Sequence, residues 1–237
     1  WLLSACQCRM ICYICRKIEK FKQEMRFNGF TYATVLALLI TSMSACGNPT
    51  ANSGPAPSAT DEAVNPAVEN IMTRTSIRQY QPDRSISRDT VDLLLRAAMS
   101  APTAVNKQPW AFVVIDSRES LDSLAEVLPY ARMLRHAPLA IVTCGDLGKA
   151  LEGEAREFWI QDVSAATENL LLAAHALGLG AVWTGVYPST ERTKAVQECL
   201  GMPANIIPLA VVPVGYPAHE GEPKDKYKAD NIHFGRW

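Results

Sequence analysis

The feature that most constrains this chain is the stretch over residues 154–177, which predicts its longest helix and is very apolar from Val163 onward. A helix of that composition has almost no face to give to water, so it must be covered on nearly all sides. It is therefore expected at the centre of its domain or at a subunit contact. Gly178 and Gly180 stop it.

Strand and helix patterns alternate around that helix. Ser87 can cap and Ile86 can staple a helix whose inward face is Val91, Leu94, Leu95 and Ala98. AFVVID, residues 111–116, is a continuous apolar run of strand length. Residues 117–134 predict a helix with Leu121, Leu124, Ala125 and Leu128 inward. LAIVTCGD, residues 139–146, and AVWTGV, residues 181–186, predict two further strands, and residues 190–200 predict a helix ending at Gly201. Residues 206–214 predict a fourth strand, which Pro208 and Pro213 make edge-lying or bulged. The tail, residues 216–237, is irregular and polar, yet it ends in Phe234 and Trp237 as a docked tail would. This alternation predicts a layered α/β or α+β domain over residues 67–237, long enough for one well-buried core.

Of the 237 residues, 48% are hydrophobic and 20% charged, an ordinary globular mix. Twenty-three Lys and Arg against 24 Asp and Glu leave a net charge of -1, which excludes a strongly basic nucleic-acid binder and a disordered acidic chain. No internal repeat is visible. No G-x-G-x-x-G follows a strand and opens a helix, and Gly178-Leu179-Gly180 follows a helix instead, the wrong context for dinucleotide binding.

The first 66 residues read as addressing. Met25 is the first good initiator, so residues 1–24 are read as an upstream or non-native leader. Arg26, the apolar run TYATVLALLI and the small residues Ser42, Ser44 and Ala45 read as a secretory signal over residues 25–46. The run is shorter than the ~20 apolar residues of a spanning helix. Met43-Ser44-Ala45-Cys46 resembles a bacterial lipobox, with Met43 where leucine is usual, and makes Cys46 the expected lipidation site. An uncleaved anchor and a plain cleaved signal are the alternatives. Residues 47–66 are rich in Gly, Pro, Ser, Ala and Asn and read as a flexible tether. Cys6, Cys8, Cys12 and Cys15 have spacings a zinc site could use, but they precede Met25 without folded context, and no metal is assigned. Cys144 and Cys199 read as buried small hydrophobes rather than a disulfide.

Three polar clusters stand out in the folded part. Arg74-Thr75-Ser76-Ile77-Arg78 sets two guanidiniums about two hydroxyls, which suits phosphate oxygens and polar ring edges; alone, it would be a solvated basic turn. In residues 100–110, SAPTAVNKQPW, Asn106 and Gln108 each offer an amide donor and acceptor, as a ring with alternating carbonyl and N–H groups requires. In WTGVYP, residues 183–188, Gly185 lets a backbone approach a flat ligand. The last two clusters, taken singly, are ordinary connectors.

Together and in this order, RTSIRQY, SAPTAVNKQPW and AVWTGVYP resemble the FMN-dependent nitroreductase family, and the ending KDKYKADNIHFGRW looks like that family's C-terminus. The resemblance covers residues 68–237. It implies an α+β fold, a three-layer α-β-α sandwich with a central mixed, mainly antiparallel sheet, in an intertwined homodimer with two FMN sites shared between subunits. It implies that Arg74, Thr75 and Ser76 hold the phosphate and ribityl chain and that Arg78 lies by the pyrimidine edge as electrostatic stabiliser. Pro102, Thr103, Asn106 and Gln108 are expected from the other subunit, Thr184 and Gly185 near flavin N5 and O4, and Lys226 or Arg236 on the phosphate. A lysine that some members place beside the pyrimidine falls near Arg132 or Met133 and is not carried over.

The function implied is ping-pong, two-electron reduction of flat electron-poor acceptors such as nitroaromatics or quinones, with NAD(P)H or another donor. The flavin does the redox chemistry, so His136, His175, His219 and His233 need no catalytic role, and Asp162 and Glu168 are expected to cap, pair or face solvent. Dehalogenation, azoline oxidation or flavin fragmentation on the same scaffold is one alternative. A flavin-binding surface lipoprotein without turnover is the other. The leader places the protein in a bacterial cell envelope by a lipid anchor, whereas nicotinamide pools are cytosolic. Three outcomes stay open: the donor is a quinol or redox protein, the lipid faces another compartment, or the leader does not function and the enzyme is cytoplasmic.

Overall fold

The structure is a computed structural model, and residues 65–237 are those it describes. The leader, signal, Cys46 and nearly all of the tether lie outside them. In chain order the elements are α1 (Pro66–Thr73), α2 (Arg88–Ala98), β1 (Trp110–Ile115), α3 (Arg118–Val127), β2 (Leu139–Asp146), α4 (Phe158–Ala176), β3 (Gly180–Ala181), β4 (Thr184–Gly185), α5 (Thr190–Leu200) and β5 (Ile206–Gly215).

Local chemistry sets the helix ends. Ser87, Ser117 and Ser189 each accept a backbone N–H three residues on, at 3.2 to 3.3 Å, each such cap being worth about 1 kcal/mol. Gly201 closes α5 at φ +61°. Helix α1 is an addition to the sequence reading. Asn65 caps it through Ala67 N–H at 2.9 Å, and Pro66 stands in the first turn, where a missing N–H costs nothing.

The sheet order is β1-β2-β5-β3, with β4 also on β5, and every pairing among the described residues is antiparallel. Period-two alternation divides the core. Leu139 and Ile141 of β2 and Val212 and Val214 of β5 face α2 and α4. Ala140, Val142 and Cys144 of β2 and Val211 of β5 face α3 and α5. The domain is thus a three-layer α-β-α sandwich of the α+β class. Helix α4 buries one face within the chain, through Trp159, Asp162, Val163, Ala166, Thr167, Leu170, Leu171 and Ala174, whereas Phe158, Gln161, Glu168 and Ala176 are exposed; the cover on nearly all sides expected from its composition is not found among the described residues.

Several expected elements are corrected. β5 is internal, flanked by β2 on one side and by β3 and β4 on the other; it is not an edge strand. It is bulged, as Pro208 required: Thr143 pairs with Ala210 but Cys144 pairs with Pro208, leaving Leu209 as the extra residue. The expected strand 181–186 is divided into β3 and β4. Continuing their common register across the gap sets Val182 opposite Pro213, which has no N–H to give a ladder. The expected helix 117–134 ends at Val127 and resumes as a 3-10 turn, Arg132–Arg135. The expected helix 154–177 begins as a 3-10 turn, Gly153–Glu157, before α4.

Candidate functional site

Helix α1 delivers the chain into an extended segment beginning at Arg74, its C-cap at φ -58°, ψ 128°. Ile77 N–H donates to Ala181 O at 3.0 Å, Gln81 N–H to Tyr216 O at 2.8 Å and Ala218 N–H to Gln79 O at 3.0 Å. The segment is therefore held between β3 and the chain leaving β5. Tyr80 is buried, its hydroxyl 2.9 Å from Ile77 O and 3.2 Å from Pro213 O. Burial raises its pKa, against a smaller lowering by Arg78, so the phenol stays neutral and donates. Extended backbone alternates, which turns Ile77 inward and leaves Ser76 and Arg78 exposed. Ile77 packs so closely on Gly180 that a Cβ there would lie 2.5 Å from Ile77 Cγ2.

The tail folds back over this segment, and between them lies a cleft of about 1070 Å³. Arg74, Thr75, Ser76, Arg78 and Lys226 line it together with Glu168 and Lys224. Of these, Arg74, Thr75, Ser76 and Lys226 are the residues expected on the phosphate side, and Arg78, expected at the pyrimidine edge, lines the same cleft. Arg74 Nε pairs with Glu168 Oε1 at 3.3 Å, so the guanidinium is oriented while its two terminal nitrogens make no hydrogen bond among the described residues. The lining carries Arg74, Arg78, Lys224 and Lys226 against Glu168, Glu222 and Asp225. The charge is nearly balanced, so anion binding here must come from directed donors rather than from a bulk positive field.

His175 sits behind Arg74. Thr73 Oγ1 donates its single proton to Glu69 O at 2.7 Å, so it accepts from His175 Nε2–H at 2.9 Å. Burial, and then the Arg74 guanidinium, lower the pKa of the imidazole. With the bond from Asn70 Nδ2 to Leu172 O at 3.1 Å, this contact ties α1 to α4.

Arg78 also lines a second cleft, of about 770 Å³, with Arg132, Met133, Arg135, His136 and Glu126. Both positions that the sequence could not choose between, Arg132 and Met133, therefore line the same cleft as Arg78. The signal available was weak, because Arg132 stands at the start of a one-turn 3-10 helix with no periodicity to orient it.

The remaining expected residues fall elsewhere within one chain. Pro102, Thr103, Asn106 and Gln108 belong to an exposed turn that does not line the first cleft. Val105, Asn106 and Gln108 there have φ of 49°, 56° and 51°, conformations that cost non-glycine residues about 1–3 kcal/mol each. Ala104 N–H donates to Asp162 Oδ1 at 2.8 Å, Gln108 N–H to Thr103 Oγ1 at 3.1 Å and Gln108 Nε2 to Asn106 Oδ1 at 2.9 Å. Thr184 and Gly185 form β4, with Thr184 buried and Gly185 exposed; a Cβ at Gly185 would meet no described atom within 4 Å. Arg236 does not join Lys226 in the cleft, and its N–H donates to Phe234 O at 2.9 Å. Phe234 and Trp237 are almost wholly exposed in the single chain, and His233 stacks on Trp237 at 4.0 Å.

Cys144 and Cys199 are unbridged; burial pushes the Cys144 thiol up to about 12, and burial with Glu126 raises Cys199. No group of three His, Cys, Asp or Glu among the described residues could hold a metal ion.

The chain matches the Nitroreductase family over residues 71–128 and 125–216. It is 48% identical over 170 residues to a protein of Archaeoglobus fulgidus assigned as an NADH dehydrogenase/NAD(P)H nitroreductase, spanning 70% of this chain and 96% of that one. A crystal structure from Parabacteroides distasonis with the same assignment superposes with TM-score 0.69 and 45% identity, over 73% of this chain and 99% of that one. A Desulfovibrio desulfuricans protein assigned as a nitroreductase and solved with FMN superposes with TM-score 0.63 and 33% identity, over 72% and 96% of the two chains. The chain belongs to the nitroreductase family.

Proposed function

We propose that the protein reduces flat electron-poor acceptors, nitroaromatics or quinones, in ping-pong fashion, as a homodimer sharing two flavin sites between its subunits. It is an FMN-dependent oxidoreductase, and NAD(P)H is the donor named for its relatives. The observation that carries the reading is the first cleft, which gathers Arg74, Thr75, Ser76, Arg78 and Lys226 in a volume of the size small-ligand sites have.

These residues fit a phosphorylated flavin. When bound, FMN supplies the two-electron relay between donor and acceptor. Arg74, oriented by Glu168, offers directed donors to phosphate, and Thr75 and Ser76 add hydroxyls beside it. Arg78, at the junction of the two clefts, favours negative charge on the ring system. Asn106 and Gln108 are exposed and preset by their mutual hydrogen bond, as residues serving a neighbouring subunit's site would be. Thr184 and Gly185 are assigned to the ring's reactive edge, where Gly185 leaves room for a flat ligand. Of the two tail candidates, Lys226 is assigned to the phosphate, because Arg236 does not line the cleft within one chain.

The signal over residues 25–46 and lipidation at Cys46 are proposed as an envelope anchor. That placement raises the question of the donor, because an enzyme outside the cytosol would need a quinol or redox protein.

Anaerobic absorbance titration of the FMN-loaded full chain with NADH and then NADPH tests the function. Rapid bleaching of the flavin band is expected. A flavin bleached only by dithionite would overturn the nicotinamide-driven reading.

A further inference from the structure

We propose that Asp162 is a positioning residue: from the core helix α4 it fixes the strained turn at residues 103–108 and so presets one wall of the flavin site. The proposal rests on the reading that Asn106 and Gln108 contact FMN.

Asp162 is a buried carboxylate, 6% exposed, with no ion pair among the described residues. Its one hydrogen bond among them is accepted by Oδ1 from Ala104 N–H at 2.8 Å. Its place on the helix is set by packed neighbours. Trp159, a turn earlier, is buried and edge-on to Tyr187 at 5.0 Å, and Val163 beside it is fully buried.

The turn has the opposite character. Val105, Asn106, Lys107 and Gln108 are exposed, and Val105 is 80% exposed at φ 49° and ψ 27°. A β-branched residue holds that conformation only where the surroundings impose it. The bonds within the turn, Asn106 N–H to Thr103 O and Lys107 N–H to Ala104 O, both at 3.1 Å, set its shape but not its place. Among the described residues, the bond to Asp162 is the one side-chain hydrogen bond that joins turn and body.

A carboxylate suits this task because a charged acceptor makes a stronger bond than a neutral one and tolerates few alternatives once buried. The gain is in what the turn presents. Gln108 Nε2 donates to Asn106 Oδ1, which leaves the Asn106 amide N–H groups and Gln108 Oε1 without a hydrogen bond among the described residues. They form a donor and acceptor pair for a ring edge that alternates the two.

The test compares the full-length wild type with Asp162→Ala and Asp162→Asn, by FMN fluorescence titration and by amide hydrogen exchange without flavin. Asp162→Ala is expected to raise the FMN dissociation constant about tenfold, the loss of one charge-assisted bond, and to speed exchange at Ala104. Asp162→Asn keeps the acceptor and is expected to stay within about threefold of wild type. Equal FMN affinity and equal Ala104 exchange in Asp162→Ala would overturn the proposal, as would an Asp162→Asn protein no better than Asp162→Ala. If Asp162→Ala does not fold, the wild type decides alone: Ala104 must exchange more slowly than Val105, and equal rates would overturn the proposal. A wild type that binds no FMN would remove the flavin reading, while the exchange comparison still judges the hold on the turn.

Discussion

Gly221 lies so close over Thr75 that a Cβ at position 221 would overlap the Thr75 hydroxyl and come within 2.9 Å of Ile77 Cδ1. Tail and cleft floor are therefore fitted to one another at a single residue without a side chain. Gly221→Ala requires the Thr75 and Ile77 side chains or the tail, with Lys224 and Lys226, to shift. Overpacking of this kind costs about 1–3 kcal/mol. Because the tail is exposed, the cost should appear as weaker FMN binding, about fivefold or more, with little change in the melting temperature of the flavin-free protein. Titration and calorimetry on the same sample separate the two.

Arg78→Ala removes an exposed cation common to both clefts. Folding should be unaffected within about 0.5 kcal/mol, as for most exposed positions. The midpoint potential of bound FMN should fall by about 30 mV, a tenfold change for a two-electron couple. Flavin reduction should slow accordingly. Spectroelectrochemistry measures the first and stopped flow the second; an unchanged potential would remove Arg78 from its electrostatic role.

Stability should depend on pH through His175. Its pKa lies below the ordinary 6.5, because the ring is partly buried and Arg74 opposes a second positive charge. As pH falls, the unfolded chain takes up this proton first. The contribution is therefore complete above about pH 6.5 and is lost progressively below it. The melting temperature should decline from about pH 7 to pH 5, and His175→Gln should flatten that slope. Asp146 adds a similar loss only at lower pH, below 3.8: burial raises its pKa, but Gly148 N–H, Lys149 and Asn205 outweigh it.

Gly145→Ala tests the core rather than the site. The Trp159 indole packs against Gly145, and a Cβ there would come within 2.8 Å of Trp159 Cδ2. A destabilisation of about 1–3 kcal/mol is expected from the overpacking, read by urea unfolding. Trp159 stands one turn before Asp162, so the turn at residues 103–108 should loosen as well.

The patterns legible in the sequence were those carried by local spacing. The apolar core face of α4, the Ser87 cap and the clustering of Arg74, Thr75, Ser76 and Arg78 are all written within a few neighbouring positions. What escaped depends on distant partners. Nothing local at residues 181–186 shows that Pro213 will stand opposite Val182 and divide the strand. Pro208 and Pro213 argued for an edge or a bulge without deciding between them; the bulge at Leu209 and the gap beside Pro213 admit them to the sheet interior. Val105 conceals its positive φ, since a β-branched residue is the last to suggest one. Asp162 looked like any helix carboxylate, because its partner is a backbone N–H 58 residues away. Asn65-Pro66 did carry a helix-start signal, masked by the low-complexity stretch before it.

The two sides of the sheet are not equivalent. Beside β3 and β4, residues 77–81 lie along the short strands and bridge to Pro217, so that margin is closed by the chain itself. On the far side β1, reading WAFVVI without a charge or a proline, pairs with β2 alone among the described residues. Unpaired strand margins are where sheets recruit further strands. Any growth of this sheet, by a second copy or in misassembly, is thus directed to the β1 margin, away from the segment that carries Arg74 and Arg78.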